Sequence, residues 1–154
     1  MLKKGNDITI ISISYMTIEA LKTVNFLKKH KILCELIDLR TVSPIDYKTL
    51  NESIKKTGRV VVLDTANSNG SIAGEIIARI SMNLFNFLIE PPCRIALPDV
   101  PTPTSFSLTK NFYPGPKAIA DTILKILNKK IDTKELLKDK KYHDIPGKWF
   151  KGPF

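Results

Sequence analysis

Histidine and cysteine are scarce in this chain: two of each among 154 residues, with a single tryptophan. Cys34 and Cys93 lie far apart in apolar, strand-like stretches. They read as two reduced core thiols, ahead of a disulfide or a catalytic thiol. His30 falls at the end of a predicted helix and His143 near the C-terminus, so no histidine stands on the edge of the core. Long apolar runs are missing too. Nothing approaches the roughly 18 apolar residues of a transmembrane helix. The start, MLKKGND, has two lysines but no apolar h-region behind them. The strand that follows has no small-residue cleavage site, so no signal peptide is expected, and a cytoplasmic location is the default. Arginine is sparse, four against twenty lysines. That imbalance points to base composition of the genome rather than to selected phosphate contacts.

What is present fits one soluble domain. The length allows about two-thirds of the unfolded surface to be buried, and 43% hydrophobic residues is ordinary for a globular chain. The net charge is +9, about +5 over residues 1–127 and +4 over 128–154. The basic end can attract nucleic acid or an acidic protein surface, or merely solvate an exposed one.

Periodicity divides the chain into alternating strands and helices. Residues 8–14 (ITIISIS) read as a strand covered on both faces. Thr17 is placed to cap a helix with an apolar stripe of Ile18, Leu21, Val24, Phe26 and Leu27, ending in Lys28, Lys29 and His30. A second strand covers 32–37. The next helix turns Tyr47, Leu50, Ser53 and Ile54 inward and stops at Gly58, a glycine suited to a left-handed cap. Residues 59–64 (RVVVLD) form the third strand. The loop TANSNG leads to a helix over 71–87, with Ile72, Ile76, Ile77, Ile80, Leu84, Phe87 and Leu88 on its apolar face. Residues 93–97 make a short fourth strand, and the proline-rich 98–105 (PDVPTPTS) is expected to be irregular and extended. A last core helix spans 114–127, with Pro114 or Pro116 in its first turn. Three strand–helix–strand units in series predict an α/β fold with a mostly parallel sheet and helices on both faces. Beyond it, 128–154 reads as a separate basic tail: a short helix near 134–138, then an extended segment whose Trp149, Phe150 and Phe154 should dock on something.

Candidate functional residues gather at the expected carboxyl edge of the sheet. In IDLRTVSPID (37–46), Asp38 and Arg40 are too polar for a strand interior and belong at its rim, while Asp46 is positioned as a helix cap. Arg40 can pair with Asp38 or Asp99, or meet a neighbouring subunit. Asp64, with Asn67, Asn69 and Gly70, can hold an anion at the next helix N-terminus or close a satisfied loop network. Glu75, in the first turn of that helix, suits the helix dipole better than acid–base catalysis. The 98–105 loop is either a partner-binding strip or a crossing over the sheet edge.

These motifs together resemble the transketolase C-terminal domain family. The resemblance is closest to the corresponding domain of the beta subunit in the decarboxylating component of pyruvate, branched-chain and acetoin 2-oxoacid dehydrogenases. It rests on GNDITII (5–11), MTIEAL (16–21), IDLRTVSPID (37–46), KKTGRVVVLD (55–64), AGEIIARI (73–80) and PDVPTPTS (98–105), in family order over about 4–127. It implies a three-layer α/β/α sandwich with a sheet of four to five strands. In the family an antiparallel strand comes first and ends near Gly5; the chain starts at Met1, which implies that most of this strand, and the pyrimidine-binding half of the subunit, are not in it. Three positions depart from the family pattern: Ser14 and Ser71 stand where glycine is usual, and Thr65 where glutamate is usual.

The resemblance implies a non-catalytic domain or half-subunit. It would bind no cofactor alone, while the assembled enzyme would use thiamine diphosphate and magnesium. Its partners would be the thiamine-binding domains and the lipoyl acyltransferase core, in an oligomer. No GDG-type diphosphate motif is present. Alternatives are a transketolase or deoxyxylulose phosphate synthase fragment, or a stand-alone module binding nucleic acid or an acidic protein. Nucleic acid is disfavoured, because no aromatic platform is visible across a sheet face.

Overall fold

Four short runs between the helical segments become four parallel strands. A computed structural model describes residues 1–137; the expectations for His143, Trp149, Phe150 and Phe154 lie outside them. The strands are β1 (Ile8–Ser12), β2 (Cys34–Asp38), β3 (Val60–Asn67) and β4 (Cys93–Leu97), and the sheet order is β2-β1-β3-β4. Helices α1 (Met16–Lys29), α2 (Tyr47–Thr57), α3 (Ile72–Leu84) and α4 (Pro116–Ile126) alternate with them. Successive residues of a strand face opposite layers. Ile8, Ile10, Val61 and Leu63 pack with Ala20, Leu27, Ile119 and Ile123 of α1 and α4. Ile11, Val60 and Val62 pack with Leu50, Ile54, Ile76 and Ile80 of α2 and α3. The result is the expected α/β/α sandwich.

An antiparallel element is also present, in short form. Lys3 bridges Leu36 on the outer edge of β2, with Leu2 N–H donating to Leu36 O at 2.8 Å and Leu36 N–H to Lys3 O at 2.9 Å. At the other end, Thr133 Oγ1 donates to Asp121 at 2.6 Å and Lys29 pairs with Glu135 at 2.7 Å, so residues 131–137 lie back on α1 and α4.

Several boundaries match the local chemistry. Asp46 caps α2, accepting from Thr49 N–H at 3.1 Å, and Gly58 closes the same helix at φ 66°. Pro116 occupies the first turn of α4. Others are corrected. β1 stops at Ser12 because Ser14 takes a left-handed φ of 53°. Thr17 is not a cap; α1 begins at Met16 and Thr17 lies inside it, buried. β2 starts at Cys34, after Lys31 turns at φ 59°. β3 continues three residues past Asp64, rejoining β4 beyond a bulge through the pair Asn67–Leu97. α3 ends at Leu84 and tightens into a 3-10 turn, Phe85–Phe87.

Ser14 holds a turn that favours glycine. A left-handed φ costs an L-residue roughly 1–2 kcal/mol, of which glycine returns a part to unfolded-state entropy. Ser14→Gly is therefore expected to stabilise the protein by about 0.5–1 kcal/mol. Urea titration should show a higher midpoint at unchanged slope; a lower midpoint would contradict the assignment. Ser71, by contrast, sits at φ −79°, which any residue adopts, while the preceding Gly70 takes φ 71°.

Candidate functional site

The carboxyl ends of the strands bring the polar candidates to one rim, but as separate pairs. β1 leads through α1 to β2 on one side, and β3 leads through α3 to β4 on the other. The crevice of such a sheet lies between those two central strands. On the β2 side, Thr17 Oγ1 donates to Asp38 Oδ1 at 3.0 Å and contacts Ser12 Oγ at 2.9 Å. Ser12 Oγ donates in turn to Ile37 O at 3.2 Å. Arg40 Nε stands 3.4 Å from Asp38 Oδ2, with the Arg40 side chain 84% exposed. Arg40 thus pairs with Asp38 rather than Asp99, and its guanidinium is presented to solvent.

On the β3 side, Asp64 is buried. Its Oδ1 accepts from Ala66 N–H and its Oδ2 from Ala73 N–H, both at 3.1 Å. The carboxylate thereby satisfies a free donor in the first turn of α3, where a bound anion would otherwise sit. Asn69 donates to Asp99, tying the β3–α3 loop to the loop after β4. Gly70 turns the chain into α3, and Glu75 is exposed in the first turn of that helix. Trp149 and Phe154 lie outside the described residues.

A cavity of about 510 Å³ lies beside this rim between the end of β4 and the start of α4. It is lined by Ala96, Pro98, Phe112, Tyr113, Pro116 and Lys117, among others. Large apolar side chains are exposed nearby, Val100, Phe106 and Leu108 among them.

Three buried polar groups were not legible as such. Glu19 is fully buried on α1, 2.8 Å from Lys22 Nζ. Burial first, then the charge and hydrogen bond of Glu19, push the Tyr15 phenol above its usual range. Glu35, inside β2, takes the Lys56 ammonium and the Gly5 N–H. Burial alone would raise its pKa, but hydrogen bonds from Lys56, Ser53 and Gly5 outweigh that and hold the carboxyl below the usual range. Thr9, Ser53 and Thr57 share a buried hydroxyl cluster between β1 and α2. Alternation and helical spacing assign a face to each of these residues, but the partners of Glu35 and Thr9 come from distant sequence. The Cys34 thiol is pushed up to about 12 by burial, then by Asp7, so it stays protonated and is no nucleophile. Both cysteines are free.

A parallel α/β/α sandwich with this rim is a recognisable class. The family model for the transketolase C-terminal domain matches residues 1–119, and the chain belongs to that family. It is 35% identical over 126 residues to the pyruvate dehydrogenase E1 component subunit beta of Rickettsia bellii, covering 82% of this chain and 39% of that protein. The Bacillus subtilis subunit of the same name is 36% identical over 126 residues, covering 81% and 38%. The beta subunit of the Bacillus subtilis acetoin:2,6-dichlorophenolindophenol oxidoreductase is 33% identical over 125 residues, covering 81% and 36%. The chain spans about two-fifths of the length of the curated relatives it matches. A solved structure titled as a split gene transketolase, inactive beta4 tetramer, shares the fold with a TM-score of 0.71 at 24% identity, over 84% of this chain and 42% of that one. Among the described residues no helix is long and apolar enough to cross a membrane.

Proposed function

We propose that this chain acts as a non-catalytic domain or half-subunit of a thiamine diphosphate-dependent 2-oxoacid dehydrogenase-like enzyme in the cytoplasm. Its work is assembly and docking. One observation carries the reading: the similarity to beta subunits runs over four-fifths of this chain and only about two-fifths of theirs. The assembled enzyme would decarboxylate a 2-oxoacid and pass the acyl group to a lipoyl carrier.

Among the described residues, the buried carboxylates Glu35 and Asp64 of the sheet do not fit a thiamine diphosphate site. Glu35 is committed to Lys56 and Gly5, and Asp64 to two backbone N–H groups. Among the described residues no three His, Cys, Asp or Glu side chains converge as a magnesium site. The rim suits contact instead: an exposed Arg40 held by Asp38, an exposed Val100 on the irregular, proline-rich loop, and exposed Phe106 and Leu108 on the turn and short 3-10 helix that follow it. Exposed apolar groups on a pre-extended segment lose little entropy on binding. Mixing the purified chain with polypeptides carrying the thiamine-binding domains should give one co-eluting oligomer on size-exclusion chromatography. Separate elution at all concentrations would sink the proposal.

A further inference from the structure

We propose that Lys3, Lys4 and Lys28, around a recess floored by Val24, Ile32 and Leu33, form a docking site for an acidic protein segment carrying one aliphatic anchor residue. The site lies away from the rim described above, where the N-terminal stub on β2 meets the C-terminal end of α1. The recess measures about 200 Å³, the size of one apolar side chain. Its floor is partly open, with Leu33 46% exposed.

Three lysines line this recess, and the nearby Asp7 carboxylate accepts from the Leu33 N–H at 2.6 Å. Lys22, Lys29, Lys56 and Lys117 each stand within ion-pair distance of a carboxylate. Among the described residues Lys3, Lys4 and Lys28 have no such partner. Lys28 also sits in the last turn of α1, where the helix dipole favours it; Lys3 and Lys4 have no comparable compensation. Three like charges lining one small recess repel each other. An acidic segment removes that repulsion and covers Leu33 in one step. The recess is lined by no aromatic side chain. Nucleic-acid bases therefore have no stacking surface here, which favours a protein segment over RNA or single-stranded DNA.

The test uses the full chain and a fluorescently labelled peptide of glutamates around a central leucine, read by anisotropy. K3E/K4E/K28E should weaken binding at least about tenfold, the loss of some 1.4 kcal/mol. K125E/K129E/K130E changes the net charge equally on the end of α4 and should leave affinity within about threefold. Replacing the central leucine of the peptide by serine should weaken binding to the unmodified chain but not to K3E/K4E/K28E. Equal losses from the two triple variants would mean only general charge attraction and overturn the proposal. So would indifference to the leucine, or tighter binding of a duplex DNA of matched charge. Circular dichroism of both variants checks that the fold is kept, and co-elution with the thiamine-binding polypeptides is read separately, so failure here leaves the assembly proposal standing.

Discussion

Lys56→Met is expected to destabilise the protein by about 2–3 kcal/mol at pH 7. Removing one partner of a fully buried ion pair costs about 3–5 kcal/mol, because the other charge is left without compensation. Glu35 is that other charge, 1% exposed in the middle of β2. The figure is discounted because the Lys56 side chain is 42% exposed, so water can replace part of what it supplies. The pH dependence has a definite sign. The Glu35 carboxyl is held below its usual range in the folded state. Its stabilisation is present above the unfolded carboxyl pKa, about 4.3, and is lost as pH falls through the folded value. Without Lys56, only the hydrogen bonds from Ser53 and Gly5 oppose burial, so the folded pKa rises relative to the unmodified protein and the charged form loses support at neutral pH more than in acid. The difference between the two proteins should therefore be full near pH 7 and shrink as pH drops toward 4. Denaturant titrations at several pH values measure it directly. A pH-independent difference would show that Lys56 contributes packing, not charge. Adding Glu35→Leu to Lys56→Met should recover part of the loss, since apolar pairs often replace buried ion pairs at little cost.

Gly5→Ala should cost about 3 kcal/mol, at the upper end of overpacking penalties. A β-carbon at Gly5 would lie 2.2 Å from Leu33 O and 2.4 Å from Cys34 C. Both are backbone atoms, so no rotamer change relieves the clash. The chain can escape only by moving residues 1–5 off β2. That breaks the Leu2 and Lys3 bonds to Leu36 and the 3.3 Å bond from Gly5 N–H to Glu35. For a chain of this size the loss corresponds to a fall in Tm of roughly 6–12 °C. Hydrogen exchange gives a local readout, because the Leu36 amide donates to Lys3 O and should lose protection. An unchanged Tm with a protected Leu36 amide would refute the close approach.

The two positions also mark what the sequence could and could not reveal. Wherever a local rule decided the outcome, reading the residues was enough. Asp46 stands before a helix and caps it, Gly58 follows one and closes it left-handed, Pro116 opens one, and the β-branched run at β3 is buried on both faces. The fourth strand matches residue for residue, because prolines bound it on both sides. Local rules failed where a distant partner decided. A glutamate within an apolar strand gives no hint that Lys56 and Gly5 will meet it from 21 and 30 residues away. Thr17 has the chemistry of a cap, but the left-handed turn at Ser14 starts the helix earlier and sends its hydroxyl to Ser12 and Asp38. β3 outruns its apolar stretch because β4 continues to pair with it past the bulge. At the rim, Asp38, Arg40, Asp64, Asn69 and Asp99 were all visible as polar strand ends. Their division into an Asp38–Arg40 pair, a helix-capping Asp64 and an Asn69–Asp99 link depends on three-dimensional register.

That division supports a structural role for the rim. Asp38, Asp64 and Asp99 hold loops in place, and beside the exposed Glu75 the rim presents an arginine and apolar side chains, residue types enriched at contact surfaces.

Decarboxylation of a 2-oxoacid such as pyruvate, followed with thiamine diphosphate and magnesium present, tests the central claim most directly. Three samples are compared: this chain alone, the thiamine-binding polypeptides alone, and the two together. The account predicts no turnover from the first, little from the second and restored activity in the third. Turnover by this chain alone, or full activity of the partners without it, would contradict the account.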